Sequence, residues 1–197
     1  MVSIRETTRK YRGRKAATYE AIRARQARWA WENEMVEQAL RALAPSSVLD
    51  CPVGTGRFLP LYGSLAAHVL GLDASEEMLA LARRKKRRHA GRHKLEIGDA
   101  TSTGCDDGRY DVAVCVRFLD LIDEDAMRAV MRELCRVARR AVLLTIRFGT
   151  EYVPKSNTAT HSRQKFLALV RRLGFELDQD AQFREAGWTF VTLTRRR

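Results

Sequence analysis

Three carboxylates and two glycines in the first half of the chain have the types and spacing of a nucleotide-type cofactor site. Asp50 lies in a short apolar run, Val48 to Cys51, which leads into the turn Pro52-Val53-Gly54-Thr55-Gly56 and then an amphipathic stretch. Glycine permits torsions and a close ligand approach that a side chain blocks, and a helix start offers N–H groups without partners inside the helix. Asp73 closes the next apolar run, about 20 residues past the turn, where a carboxylate can accept hydrogen bonds from ribose hydroxyls. Asp99 stands just past a third run. A dinucleotide site would want glycine at the third place of G-x-G-x-x-G counted from Gly54; Leu59 is there, which disfavours NAD.

The elements that must position these residues alternate. A helical pattern runs from about Ala16 to Leu43, with Ile22, Trp29, Val36, Leu40 and Leu43 on one stripe, and stops at Pro45-Ser46. Strand Val48 to Cys51, helix Arg57 to Ala66, strand Val69 to Asp73 and a helix after Ser75 form a β-α-β-α unit, followed by a short strand Leu95 to Ile97. Strand Tyr110 to Val116, a helix capped near Asp123 and the apolar strand Ala141 to Ile146 come next. A long loop, Phe148 to Ala159, precedes a helix starting near His161 and ending at Gly174, and Phe175 to Leu177 and Trp188 to Leu193 close the chain as strands. This alternation predicts an α/β architecture, a mostly parallel sheet with helices on both faces, whose ligands bind outside the carboxyl ends of the strands.

At 197 residues and 45% hydrophobic content, the chain fits one globular domain with a short accessory arm. The expected division is a basic, aromatic helical arm or lid over residues 1–45 and a cofactor-binding domain over 46–197. No apolar run approaches the roughly 18 to 20 residues that span a bilayer, and Met1 to Lys15 is polar and basic, which predicts a cytoplasmic protein. Cys51, Cys105, Cys115 and Cys135 are scattered without metal-ligand spacing, so no metal site is predicted and reduced, structural thiols are expected. The net charge of +12 is uneven. Arg83 to Lys94 holds a block of cations, Arg5 to Lys15 a second, and Arg195 to Arg197 a third, which leaves RNA open as a partner beside a helix-end role for the first block.

In four successive places the sequence resembles the class I S-adenosylmethionine-dependent methyltransferases. These are Val-Leu-Asp-Cys-Pro-Val-Gly-Thr-Gly, Gly-Leu-Asp-Ala-Ser-Glu-Glu-Met-Leu, Gly-Asp-Ala and Tyr-Asp-Val-Ala-Val-Cys-Val-Arg-Phe-Leu. The resemblance implies a Rossmann-like seven-stranded sheet of order 3-2-1-4-5-7-6 and S-adenosylmethionine as the methyl donor. It also implies donor contacts at Asp50, Pro52, Gly54 and Gly56 for the methionine end, Asp73 and Ala74 for the ribose, and Met78, Asp99 and Ala100 for the adenine. Arg117 and Phe118, after the fourth strand, join this set, and Tyr19 is the arm residue expected to cover the donor. Pro52 stands where the family usually has its first glycine. The Asp/Asn-Pro-Pro-aromatic motif of base amino-methylation is absent after strand four, and Cys115 lacks the Pro-Cys context of cytosine C5 methylation.

Arg117 and Arg147 follow strands that are neighbours in that order, so they, with Lys155, are expected to clamp an anionic group on the methyl acceptor. The alternative for Arg147 is pairing with an acid such as Asp120. His161, Asp120 and Tyr152 are the candidate proton acceptors. The leading function is methyl transfer to a small or medium acidic molecule. An RNA-directed enzyme of the same fold and a donor-binding protein without transferase activity are the alternatives.

Overall fold

The computed structural model describes residues 14–65, 68–86, 92–149, 159–183 and 187–196, the side chains of residues 14–17 and 19 excepted. The elements in chain order are α1 (Arg14–Arg23), α2 (Ala27–Leu43), β1 (Ser47–Asp50), α3 (Leu59–Ser64), β2 (His68–Asp73), α4 (Glu76–Lys86) and β3 (Arg92–Ile97). They continue with β4 (Tyr110–Cys115), a 3-10 turn at Leu119–Leu121, α5 (Glu124–Val137), β5 (Ala138–Arg147), α6 (Arg163–Arg172), β6 (Phe175–Gln182) and β7 (Trp188–Arg195). The seven strands form one sheet of order β3-β2-β1-β4-β5-β7-β6, as expected. β3, β2, β1, β4 and β5 pair in parallel, and β7 runs antiparallel to both β5 and β6.

Strand periodicity divides the core in two. Val48, Val69, Val112, Val114 and Leu143 face α2, α3 and α4, where Val36, Leu40, Leu59, Tyr62 and Leu79 cover them. Leu49, Leu70, Ala113, Val142 and Leu144 face the other way and meet Met127, Val130 and Leu134 of α5 and Phe166 and Val170 of α6. Residues one apart on each strand thus enter different layers, as the pleat requires. Asp123 caps α5 by accepting from the Ala126 amide, and Ser162 caps α6 at Lys165.

Several expected boundaries move. The helix over Ala16–Leu43 is two helices, interrupted at Ala24–Gln26, and Ile22 is exposed rather than part of the buried stripe. Val36 and Leu40 sit fully buried against Val48 and Val112, so α2 is built into the core and the division at residue 45 does not follow the packing. α3 is one turn and a half rather than the whole of Arg57–Ala66. β3 begins at Arg92 and β6 runs on to Gln182, both polar edge strands with one face in water. No helix among the described residues is long and apolar enough to cross a membrane.

Candidate active site

The carboxyl ends of β1, β2 and β3 bring the predicted donor residues together. Asp50, almost fully buried, accepts a hydrogen bond from the Tyr62 hydroxyl at 2.9 Å. The Gly54 amide donates to Asp73 Oδ2 at 2.9 Å and the Ser75 amide to Asp73 Oδ1 at 2.8 Å, so the second carboxylate locks the glycine turn to the start of α4. Gly54 and Gly56 both have positive φ, +55° and +70°. A Cβ on Gly56 would also stand 2.5 Å from Leu59 Cδ1, so only glycine fits there. Between the two glycines the Thr55 hydroxyl is buried and has no partner among the described residues.

Asp73 is the register partner of Ile97, which is 58% exposed and, with Ile22, one of two exposed large apolar residues among those described. Met78 and Ala100 are buried nearby in sequence, Ala74 is exposed, and Pro52 is half-buried. Asp99 is exposed, with Oδ1 accepting from the Thr101 amide and hydroxyl, each at 2.8 Å. The ends of β1 to β3 therefore offer three carboxylates, a glycine turn, an orphaned hydroxyl and an apolar surface. That donor set fits an adenosine with a charged tail.

Burial pushes the Asp50 carboxyl up to about 7, with neighbouring Asp73 adding to the rise and the Tyr62 hydrogen bond opposing it. The native state thus holds this proton more tightly than the unfolded chain. The contribution of Asp50 to stability therefore falls as pH rises from about 4 to about 7 and is level above that. Thermal unfolding across pH 4 to 8 is expected to show this decline in the wild type and a shallower one in Asp50→Asn; parallel profiles would contradict it. The thiols of Cys51 and Cys115 are buried and pushed far up, and Cys135 rises to about 12, which removes all three as nucleophiles at neutral pH.

A second group of side chains gathers beyond β4 and β5. Arg117, the second residue past β4, holds a left-handed backbone, φ +61°, and its amide donates to Thr145 Oγ1 at 2.7 Å. Its guanidinium reaches Glu32 Oε2 of α2 at 3.4 Å and Gln26 Oε1 at 3.3 Å. Arg57 meets the same Glu32 oxygen at 2.8 Å, and Arg28 meets the other at 3.3 Å. Three guanidiniums thus share one fully buried carboxylate. Two tryptophans interleave with them: the Arg57 guanidinium lies 3.5 Å from the Trp29 ring centre, while Arg28 and Arg147 lie 3.6 Å and 5.6 Å from that of Trp188.

Asp120 borders this group. It is 3% exposed, Oδ1 has no partner among the described residues, and burial raises its carboxyl to about 6 against the pull of Arg28 and Arg117. Among the described residues the group holds Arg28, Arg57, Arg117 and Arg147 against Glu32 and Asp120. His161 stands deeper, 2% exposed, with Nε2 at 2.7 Å from the Leu119 carbonyl oxygen and Nδ1 without a partner among the described residues. Burial lowers its tendency to ionise. Nε2–H therefore donates to the 3-10 turn, and His161 holds that turn in place. Phe118, 8% exposed, is a core residue beside it. Tyr152, Lys155, the side chain of Tyr19 and most of the basic segment Arg5–Lys15 lie outside the described residues.

Residues 48–141 match the family profile described as Methyltransferase domain. That stretch is a methyltransferase domain. Phosphatidylethanolamine N-methyltransferase of Cereibacter sphaeroides is 36% identical over 95 residues, 47% of this chain and 45% of that protein. Demethylmenaquinone methyltransferase of Thermus thermophilus is 32% identical over 117 residues, 57% of this chain and 53% of that protein. The matched part thus spans about half the length of each curated relative. Among solved structures, magnesium protoporphyrin IX methyltransferase from Synechocystis PCC 6803 with bound SAM superposes with a TM-score of 0.73 at 16% identity, covering 96% of this chain and 95% of that one. A protein of Pyrococcus horikoshii OT3 gives 0.73 at 17% identity, covering 96% and 99%.

Within the methyltransferase domain and its α2 extension, the sequence pattern did not point to Glu32, Arg28 and Arg57 as site residues. One signal was available: Trp29, Glu32, Val36 and Leu40 are spaced as one helical stripe, and a carboxylate on an apolar stripe must be met by cations. Ile97 carried no signal, because an isoleucine ending a strand reads as core.

Proposed function

We propose that the chain binds S-adenosylmethionine at the carboxyl ends of β1 to β3 and transfers its methyl group to a small or medium anionic acceptor held between α2 and the ends of β4 and β5. When bound, the donor supplies an electrophilic methyl on a sulfonium. The observation that carries the first half is the Gly54–Asp73–Ser75 lock, which leaves the Asp73 carboxylate facing the glycine turn beside exposed Ile97. Asp73 and Ala74 would take the ribose, Ile97, Met78, Asp99 and Ala100 the adenine, and Asp50 with the Gly54–Gly56 backbone and Thr55 the amino-acid tail.

The excess of buried guanidiniums over carboxylates supports an anionic acceptor, since guanidinium forks suit carboxylate and phosphate. Arg117 and Arg147 keep the clamp role expected from sequence, and Arg28, which pairs with Glu32 as Arg117 does, joins them. Asp120 is better suited to take an acceptor proton than His161: its Oδ1 has no partner and its carboxyl titrates near 6, close to working pH. Methyl transfer needs little beyond this, because alignment of two bound partners alone lowers a barrier by roughly 7 to 11 kcal/mol in favourable systems. The two curated relatives are named for unlike acceptors, phosphatidylethanolamine and demethylmenaquinone, so likeness to them does not name this one.

Arg117→Ala and Arg147→Ala are expected to raise KM for the acceptor about tenfold or more while donor affinity changes little. Steady-state kinetics with labelled donor checks this, and unchanged acceptor KM in both variants would contradict the clamp. The RNA-directed reading rested on the basic blocks. The described part of the largest, Arg83–Lys86, ends α4 at the opposite end of the sheet from these residues, so it gives that reading no support as an acceptor site.

A further inference from the structure

The amino ends of the strands form a second charged region, far from the proposed transfer site. Arg92 opens β3, Arg109 immediately precedes β4, Arg139 is the second residue of β5, and Arg195 closes antiparallel β7 at the same edge. With strands about 4.8 Å apart, the five spacings from β3 to β7 set these cations along a row of about 24 Å. Two hollows follow the row. One of about 600 Å³ is lined by His68, Arg92, Lys94, Arg109, Tyr110 and Arg139. The other, about 440 Å³, holds Arg132, Arg136, Arg139 and Arg195, so Arg139 is common to both.

Part of this charge has a structural task. Arg195 donates to the carbonyl oxygens of Cys135, Ala138 and Arg139, and Arg139 pairs with Asp111. Arg92, Arg109 and Arg132 are exposed, and none forms an ion pair with a described residue. Helix dipoles do not account for Arg92 and Arg109, which stand at strand starts rather than helix ends. The C-terminal turns of α4 and α6, with Arg84, Lys86 and Arg171 among their cations, flank the same edge and widen the positive field.

We propose that this edge is a docking surface for the phosphodiester backbone of a nucleic acid. A linear row of guanidiniums suits a linear polyanion, and about 24 Å accommodates about seven nucleotides of a stacked strand at ~3.4 Å each. The surface is concave, and Ile97, one of the two exposed large apolar side chains among the described residues, lies at the far end of β3 from Arg92. The edge faces away from the donor loops. It therefore anchors the protein and does not present a base for methylation, and it stands whether or not the transferase reading does.

The test is fluorescence anisotropy of the full chain with a labelled 20-nucleotide single-stranded RNA and a duplex DNA of the same length, from 50 to 200 mM salt. The expected result is binding that weakens steeply with salt. The triple variant Arg92→Gln/Arg109→Gln/Arg132→Gln should bind RNA at least tenfold more weakly at 100 mM salt. Its log–log salt slope should be flatter by about 2, at ~0.7 per lost contact on a single strand. The triple variant Arg128→Gln/Arg163→Gln/Lys165→Gln makes the same charge change near the N-terminal ends of α5 and α6 and should stay within about threefold of wild type. Three results would overturn the proposal: no binding to either nucleic acid at 50 mM salt, equal losses in the two triple variants, or binding to phosphatidylglycerol vesicles without binding to RNA or DNA.

Discussion

Replacing Glu32 by Gln is expected to destabilise the protein by about 3 to 5 kcal/mol, the usual cost of removing one partner from a buried ion pair. The reason is arithmetic. Arg28, Arg57 and Arg117 converge on a carboxylate with no solvent exposure, and their own side chains are 13%, 9% and 6% exposed. With Glu32 neutral, three closely packed like charges face one another, and among the described residues Asp120 beside Arg28 and Arg117 and Asp50 near Arg57 remain to offset them. At a few degrees per kcal/mol for a chain of this size, Tm should fall on the order of 10 °C. The loss should be local first: hydrogen exchange should speed up over α2 near Trp29, while β1 and β4 keep their protection. Adding Arg117→Gln to Glu32→Gln should recover part of the loss, since it removes one unpaired cation. A Tm within about 2 °C of wild type would show that water or rearrangement compensates the arginines and would remove Glu32 as the organiser of this region.

The second large effect is expected at Asp73. Asp73→Ala should weaken S-adenosylmethionine binding by about 100-fold or more, measured by calorimetry. The carboxylate accepts from the Gly54 and Ser75 amides, so its loss frees the glycine turn as well as removing the acceptor for ribose hydroxyls. Two hydrogen bonds to a charged group are worth about 1.5 to 3 kcal/mol each, together more than about 100-fold. Asp73→Asn keeps the shape and one acceptor oxygen, and should lie between wild type and alanine. Donor affinity unchanged in Asp73→Ala would place the donor elsewhere.

Much of this site was legible before the structure because its residues sit at the ends of apolar runs. Asp50 and Asp73 are found at strand ends with Asp99 just past a third, and Gly54 and Gly56 have the positive φ that their glycine identity anticipated. The strand order came from the resemblance and not from periodicity, which cannot order strands. Other features were hidden for physical reasons. The break at Ala24–Gln26 contains neither Gly nor Pro; there the chain lets Gln26 reach Arg117 and Trp29 lie under Arg57, a tertiary demand that overrides helix propensity. β3 and β6 were read short because edge strands with one wet face carry few apolar residues, and β6 alternates weakly through Asp178, Gln179 and Asp180. The sequence makes His161 a candidate base by its place after the long loop at a helix start; the structure buries it, with Nε2 on the Leu119 carbonyl oxygen.

The central claim is that this fold moves a methyl group from S-adenosylmethionine to a small anionic molecule. Its most direct test is incubation of the full chain with methyl-labelled S-adenosylmethionine and a cell extract, followed by separation of small-molecule, lipid, RNA and protein fractions. The account predicts label in small molecules retained on an anion exchanger, and none there with Asp73→Ala. Label confined to RNA or protein, or equal labelling by wild type and Asp73→Ala, would contradict it.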